Sequence, residues 1–117
     1  MIIADSAAAA AEETRDEIVG QGPVYRQTLI DAKATGGFSV LLVTFAPGAR
    51  LNFHTHTFEQ ILYVTEGKGI VATRDEERVV TAGEVIYIAP GEAHWHGAAP
   101  DASFAHIAIQ RPGIQLA

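Results

Sequence analysis

The chain has 117 residues, enough for one compact domain, and its 48% apolar content is that of a folded protein rather than a disordered one. It has no cysteine, which excludes disulfides, thiolate metal sites and a cysteine nucleophile. Any metal must therefore sit on imidazole, carboxylate or amide ligands. The formal charge is −6 with only 8 Lys+Arg, scattered along the chain, which argues against binding to nucleic acid or to an anionic membrane surface.

The opening stretch MIIADSAAAAAEETRDE lacks a basic n-region, and its alanine run is closed by Glu12 and Glu13, so it makes a poor signal peptide. No apolar run is long enough to cross a bilayer, and the expected location is the cytoplasm. Residues 6–18 have the composition of a short helix, capped by Ser6 and ended by Gly20, or of a mobile surface arm. Residues 1–22 are accordingly expected to form an N-terminal arm or short helix, and residues 23–117 a single domain.

From Pro23 onward, runs rich in Val, Ile, Leu, Thr, Phe and Tyr alternate with Gly, Pro and Asp punctuation. Strands are expected over 24–31, 37–46, 51–56, 60–66, 69–74, 77–81, 85–89, 93–97 and 103–110. The breaks between them include ATGG, APGA, EGKG, RDEE, TAGE, APGE and AAPD. So many short strands with no helical pattern between them indicate an all-β sandwich or barrel.

Five histidines stand out: His54, His56, His94, His96 and His106. Residues i and i+2 of a strand point to one face with Cα atoms roughly 7 Å apart, which lets two imidazoles close on one ion at about 2.1 Å. His54/His56 and His94/His96 both have this spacing. On the following strand Gln60, Leu62 and Val64 share one face and Ile61, Tyr63 and Thr65 the other; if the first set faces inward, Gln60 can join the histidines. A lone buried histidine is more often a hydrogen-bonded core residue, so the glycine framework around the pairs matters.

That framework resembles a known family. Gly48, five residues, His54-Thr-His56, three residues, Gln60, six residues and Gly67 resemble the first cupin motif. Gly83, seven residues, Gly91, two residues and His94 resemble the second, with fifteen residues between Gly67 and Gly83. The resemblance implies a double-stranded β-helix, the jelly-roll cupin barrel. The chain departs from the pattern in having Gln60 where the family usually has Glu, Ala89 in the usual proline slot, and Ala98 in place of a late Asn. Three imidazoles and a carboxamide are all neutral, so a divalent ion held by them keeps its full charge and is a stronger Lewis acid.

HTHTFEQILYVTEGKG and PGEAHWHGAAPDASFAHIAIQ further resemble a small subgroup of single-domain cupins that includes manganese-dependent hydroxynitrile lyases and cupins associated with carboxymuconolactone decarboxylases. The resemblance implies metal ligands at His54, His56, Gln60 and His94, with Mn(II) favoured and Fe(II), Ni(II), Zn(II), Co(II) or Cu(II) admitted by the same donors. It implies a base at His106, whose near-neutral pKa would suit proton transfer. Leu51 falls where those lyases can carry a polar residue that contacts substrate. His96 should face the cavity and touch substrate, or else close the turn at Gly97. Trp95 should point the other way, into core or interface.

The expected function is a metal-dependent, lyase-like enzyme acting on a small carbonyl or hydroxyl compound. A dioxygenase and a non-catalytic ligand- or metal-binding module are the alternatives. The expected partners are a small-molecule substrate and a second copy of the chain, because single-domain cupins usually pair and the Ile61/Tyr63 face offers apolar surface.

Overall fold

The computed structural model describes residues 1–117. Strands run over Glu12–Glu13 (β1), Val19–Gln21 (β2), Val24–Ile30 (β3), Ser39–Phe45 (β4), Arg50–Leu51 (β5) and His54–His56 (β6). They continue over Gln60–Thr73 (β7), Glu77–Thr81 (β8), Val85–Ile88 (β9), His94–Ala98 (β10), Phe104–Gln110 (β11) and Ile114–Leu116 (β12). The single helix, Ala32–Thr35 (α1), is one turn. Asp31 caps it by accepting from the Lys33 N–H at 2.7 Å, and Gly36 ends it at φ 76°.

All pairings are antiparallel, in the order β1-β3-β4-β11-β7-β10-β5-β2, with β9 and β8 on β7, and β6 between β10 and β12. β7 belongs to both halves of the curled sheet. Its first residues pair with β9 and β11, and its last with β8 and β10. The EGKG stretch, expected to separate two strands, is instead a bend inside this one. The register slips between Ala105 and His106 opposite it, and Gly67 takes φ 77°.

A Cβ at Gly67 would collide with the backbone carbonyl of Ser103, so the bend needs glycine for both its φ and its closeness. Gly67→Ala should therefore combine backbone strain of ~1–3 kcal/mol with a similar overpacking penalty of ~1–3 kcal/mol. Urea unfolding checks this, and a variant as stable as wild type would refute the role of the bend.

Period-2 patterning sets the inward face. Leu62 and Val64 are fully buried, whereas Ile61 and Tyr63 are 37% and 45% exposed. The inward set joins Val24, Phe45, Leu51, Val71, Val80, Ile88 and Phe104 in one apolar core. Trp95 does face away, and the Arg50 guanidinium covers it 3.8 Å from the ring centroid.

The N-terminal helix expected over 6–18 is not formed. Residues 6–9 make turns, β1 pairs with β3 and β2 with β5, so this stretch lies against the sheet as an arm. The alanines have helix propensity but no apolar stripe to bury, while the exposed edges of β3 and β5 offer backbone partners. The Gln27 side-chain amide also holds the Ala9 carbonyl at 2.9 Å. β12, also unexpected, closes the edge of β6, pairing Ile114 with His56 and Leu116 with His54. No helix is long and apolar enough to cross a membrane.

Candidate metal centre

β6 and β10 bring the histidines together. His94 is the cross-strand partner of His54, and His56 lies on the same face two residues along. One ligand atom from each of His54, His56 and His94 lies within 4.8 Å of the others. All three rings are buried.

Backbone carbonyls decide the tautomers of two rings. His54 Nδ1 donates to the Asn52 carbonyl at 2.8 Å and His94 Nδ1 to the Glu92 carbonyl at 2.9 Å. A carbonyl can only accept, so each Nδ1 carries the proton and each Nε2 presents a lone pair. Neither nitrogen of His56 has a partner. Burial is the largest cause holding His54 and His56 down to about 4, with neighbouring imidazoles adding to it; burial lowers His94 as well. All three rings are therefore neutral at pH 7, the form that binds metal.

Gln60, at the start of β7, is 2% exposed and points inward, next to these rings. Its Nε2 donates to Gln110 Oε1 at 2.6 Å, which turns its Oε1 toward His94 Nε2 at 3.2 Å. Both of the latter atoms are acceptors, so two lone pairs face each other with no proton between them. That contact is unfavourable by itself and becomes favourable when a cation lies against both atoms. Together with the unpartnered nitrogens of His56, it shows that the donor set fits a divalent ion. No motif marks Gln110, but period 2 does: His106, Ala108 and Gln110 share one face, and β11 sets Gln110 opposite Gln60.

The other two histidines form a separate pair. His106 Nε2 and His96 Nδ1 are 3.1 Å apart, while His106 Nδ1 and His96 Nε2 are buried without partners. His96 thus bonds to His106 and does not close the turn at Gly97. Burial pushes His106 down to about 4, and burial followed by the His106 ring lowers His96 well below its ordinary value. The near-neutral value expected for His106 is corrected accordingly, because no solvent reaches the ring.

This shift makes stability depend on pH. His106 binds its proton at a lower pH in the folded chain than in the unfolded one, so its contribution is complete above pH 6.5 and is lost as pH falls toward 4. For the metal-free protein the loss from this ring is on the order of 3 kcal/mol. Urea midpoints at pH 7 and pH 4.5 check it; equal midpoints would contradict the ring's neutral burial.

A cavity of about 70 Å³ adjoins the centre, lined by His54, His56, Gln60, His96, His106 and Gln110, with Leu51 in its wall. A larger cleft of about 580 Å³ opens between β8 and β9. It carries Asp75, Glu76, Glu84 and Glu92, and of the five histidines it touches only His94. Of the two, the smaller cavity is the one that meets four of the five histidines.

Comparison with known proteins agrees with this fold. A cupin-like protein of Thermotoga maritima superposes with a TM-score of 0.87 at 32% identity, covering 97% of this chain and 89% of that one. A polyketide cyclase of Streptomyces resistomycificus shares the fold, with a TM-score of 0.85 at 23% identity over 99% of this chain and 84% of the other. Over 70 residues, 58% of the chain is 50% identical to an (R)-mandelonitrile lyase of Granulicella tundricola, and the match spans 53% of that enzyme's length. The model of the family described as "Cupin domain" matches residues 41–109. With the motif glycines, the curled antiparallel sheet and the clustered histidines all in place, the chain belongs to the cupin family.

Proposed function

We propose that the protein is a metal-dependent enzyme that cleaves or forms a bond next to the hydroxyl or carbonyl carbon of a small substrate, in the manner of a hydroxynitrile lyase. The observation that carries this reading is the facing pair of acceptors, Gln60 Oε1 and His94 Nε2, inside a cluster of three neutral imidazoles. His54, His56, His94 and Gln60 would hold the ion, with Mn(II) favoured. Bound there, the ion supplies Lewis acidity that no carboxylate ligand reduces.

The chain's own acid–base work falls to His106 and His96. Whichever ring donates in their shared hydrogen bond, one ring ends in a free lone pair and the other in a free N–H. The pair can accept the hydroxyl proton of a cyanohydrin at one end. The C–C bond then breaks, its electron pair leaves with cyanide, and the carbonyl forms. A proton returned from the pair converts cyanide to hydrogen cyanide, which restores both rings. The apolar walls at Val43, Leu51 and Ala108 keep bulk water from competing for the proton.

The test is metal content together with anaerobic cleavage of mandelonitrile and of smaller cyanohydrins. Bound transition metal with release of aldehyde and cyanide without oxygen supports the reading. A protein that binds no metal, or that consumes oxygen in step with turnover, refutes it; the second result would favour a dioxygenase.

The same reading includes a homodimer. Outward-facing Ile109, Ile61 and Tyr87 line up across β11, β7 and β9, and Tyr63 stands opposite Val85 in the next row. All five are exposed, Val85 and Tyr87 at 63% each. An apolar patch of this kind is best covered by a second copy. Sedimentation should show a dimer that Tyr87→Glu converts to a monomer; a monomeric wild type would refute it.

A further inference from the structure

The cavity beside the histidines has an unusual charge balance for a chain of net charge −6. None of its lining residues is Asp or Glu, and one, Arg26, carries a permanent positive charge. Arg26 is on the inward face of β3, two residues along from fully buried Val24. The sheet register places Arg26 opposite Val43, Val43 opposite His106, and His106 opposite Val64, so all four lie in one row on one face. Two strand spacings, about 10 Å between Cα atoms, separate Arg26 from His106. Its side chain reaches the mouth of the cavity, where it is exposed and lines both the cavity and the neighbouring outer groove.

The guanidinium has no ion-pair partner: the chain's ion pairs join Arg15 to Glu13, Lys68 to Asp101 and Arg78 to Glu76. Three acids are near enough to name. Glu12 stands across the ladder from Arg26 on the edge strand β1, and Asp16 and Glu17 share the outer groove. None of them lines the cavity. On its far side, His94 is approached through the acidic cleft, which repels anions. Arg26 is thus the one fixed charge on the cavity wall, and it is positive.

We propose that the natural substrate carries a carboxylate, which Arg26 binds at the cavity mouth while the hydroxyl or carbonyl carbon beside it reaches the histidine centre. Guanidinium matches carboxylate by two parallel N–H···O bonds, which fixes orientation as well as charge. The cavity's 70 Å³ is close to two water volumes, against roughly 300–1,000 Å³ for pockets that enclose drug-sized ligands. The substrate class is therefore the short-chain hydroxy or oxo acids and their cyanide adducts, with any longer substituent left outside the mouth. This assignment rests on the metal-centre reading above.

The test is calorimetric titration of Mn(II)-loaded protein with glycolate and with its neutral isostere glycolamide, on samples whose metal content is measured. Glycolate should bind at least tenfold more tightly than glycolamide. Arg26→Gln should weaken glycolate several-fold more than glycolamide and so shrink that preference, Arg26→Lys should keep more of it, and Glu12→Gln should enlarge it. Arg26 is exposed, so these variants should fold, and thermal unfolding verifies that they do. A metal-loaded protein that binds glycolate equally with and without the guanidinium overturns the role of Arg26 alone. A protein that takes up no metal overturns the centre, and this proposal with it.

Discussion

Replacing His106 with alanine should lower kcat by ~10²–10⁴-fold, the range for loss of a positioned acid–base group, and leave metal content unchanged. His106 is fully buried, its Nε2 meets His96 and its Nδ1 has no partner; it is not among the three rings whose ligand atoms cluster. Because the two rings share one hydrogen bond, His96→Ala should cost a similar factor, and the double variant little more than either single one. The acid limb of kcat/KM gives an independent check. Burial holds His106 at about 4, so the ring stays unprotonated and activity should persist well below pH 6.5, the midpoint expected of a solvated histidine. Full activity in His106→Ala would remove the pair from the mechanism.

His56→Leu should abolish stable metal binding while making the metal-free protein more stable. Both His56 nitrogens are buried without partners, and an unsatisfied buried polar group costs about 1–3 kcal/mol. Leucine has a similar volume and no polar atoms, so the variant loses that penalty and gains packing against the neighbouring wall. Loss of one direct ligand should weaken metal binding by more than the ~10–100-fold that loss of an outer hydrogen-bond partner costs. Urea unfolding with chelator present, paired with metal analysis of untreated samples, reads both effects. A variant that is less stable than wild type in chelator, and that keeps its metal in untreated samples, would show that His56 is a structural residue. The opposite signs matter because a ring kept for packing alone would lose stability when replaced.

Much of this protein was legible in the residues alone. Period-2 alternation placed Gln60, Leu62 and Val64 inward and Ile61 and Tyr63 outward, because a strand has only two faces and one of them must leave water. The H-x-H pairs and the motif glycines marked the barrel and its centre for a related reason: i, i+2 spacing and positive φ are local properties that a short stretch carries with it.

What depended on distant partners was not legible. The stretch with helix propensity became an arm because the residues that follow its alanines, Glu12–Glu13 and Val19–Gln21, pair with the free edges of β3 and β5. EGKG became a bend in one strand because the residues before it pair with β9 and β11 and those after it with β8 and β10. Gln110 turning the Gln60 amide, His96 bonding to His106, and the unpaired Arg26 in their row all follow from which strands the sheet sets side by side. Sequence by itself determined which side chains leave water and which histidines are spaced to share an ion. Only the tertiary structure decided which of them meet, since cross-strand register joins residues tens of positions apart and burial then sets their protonation.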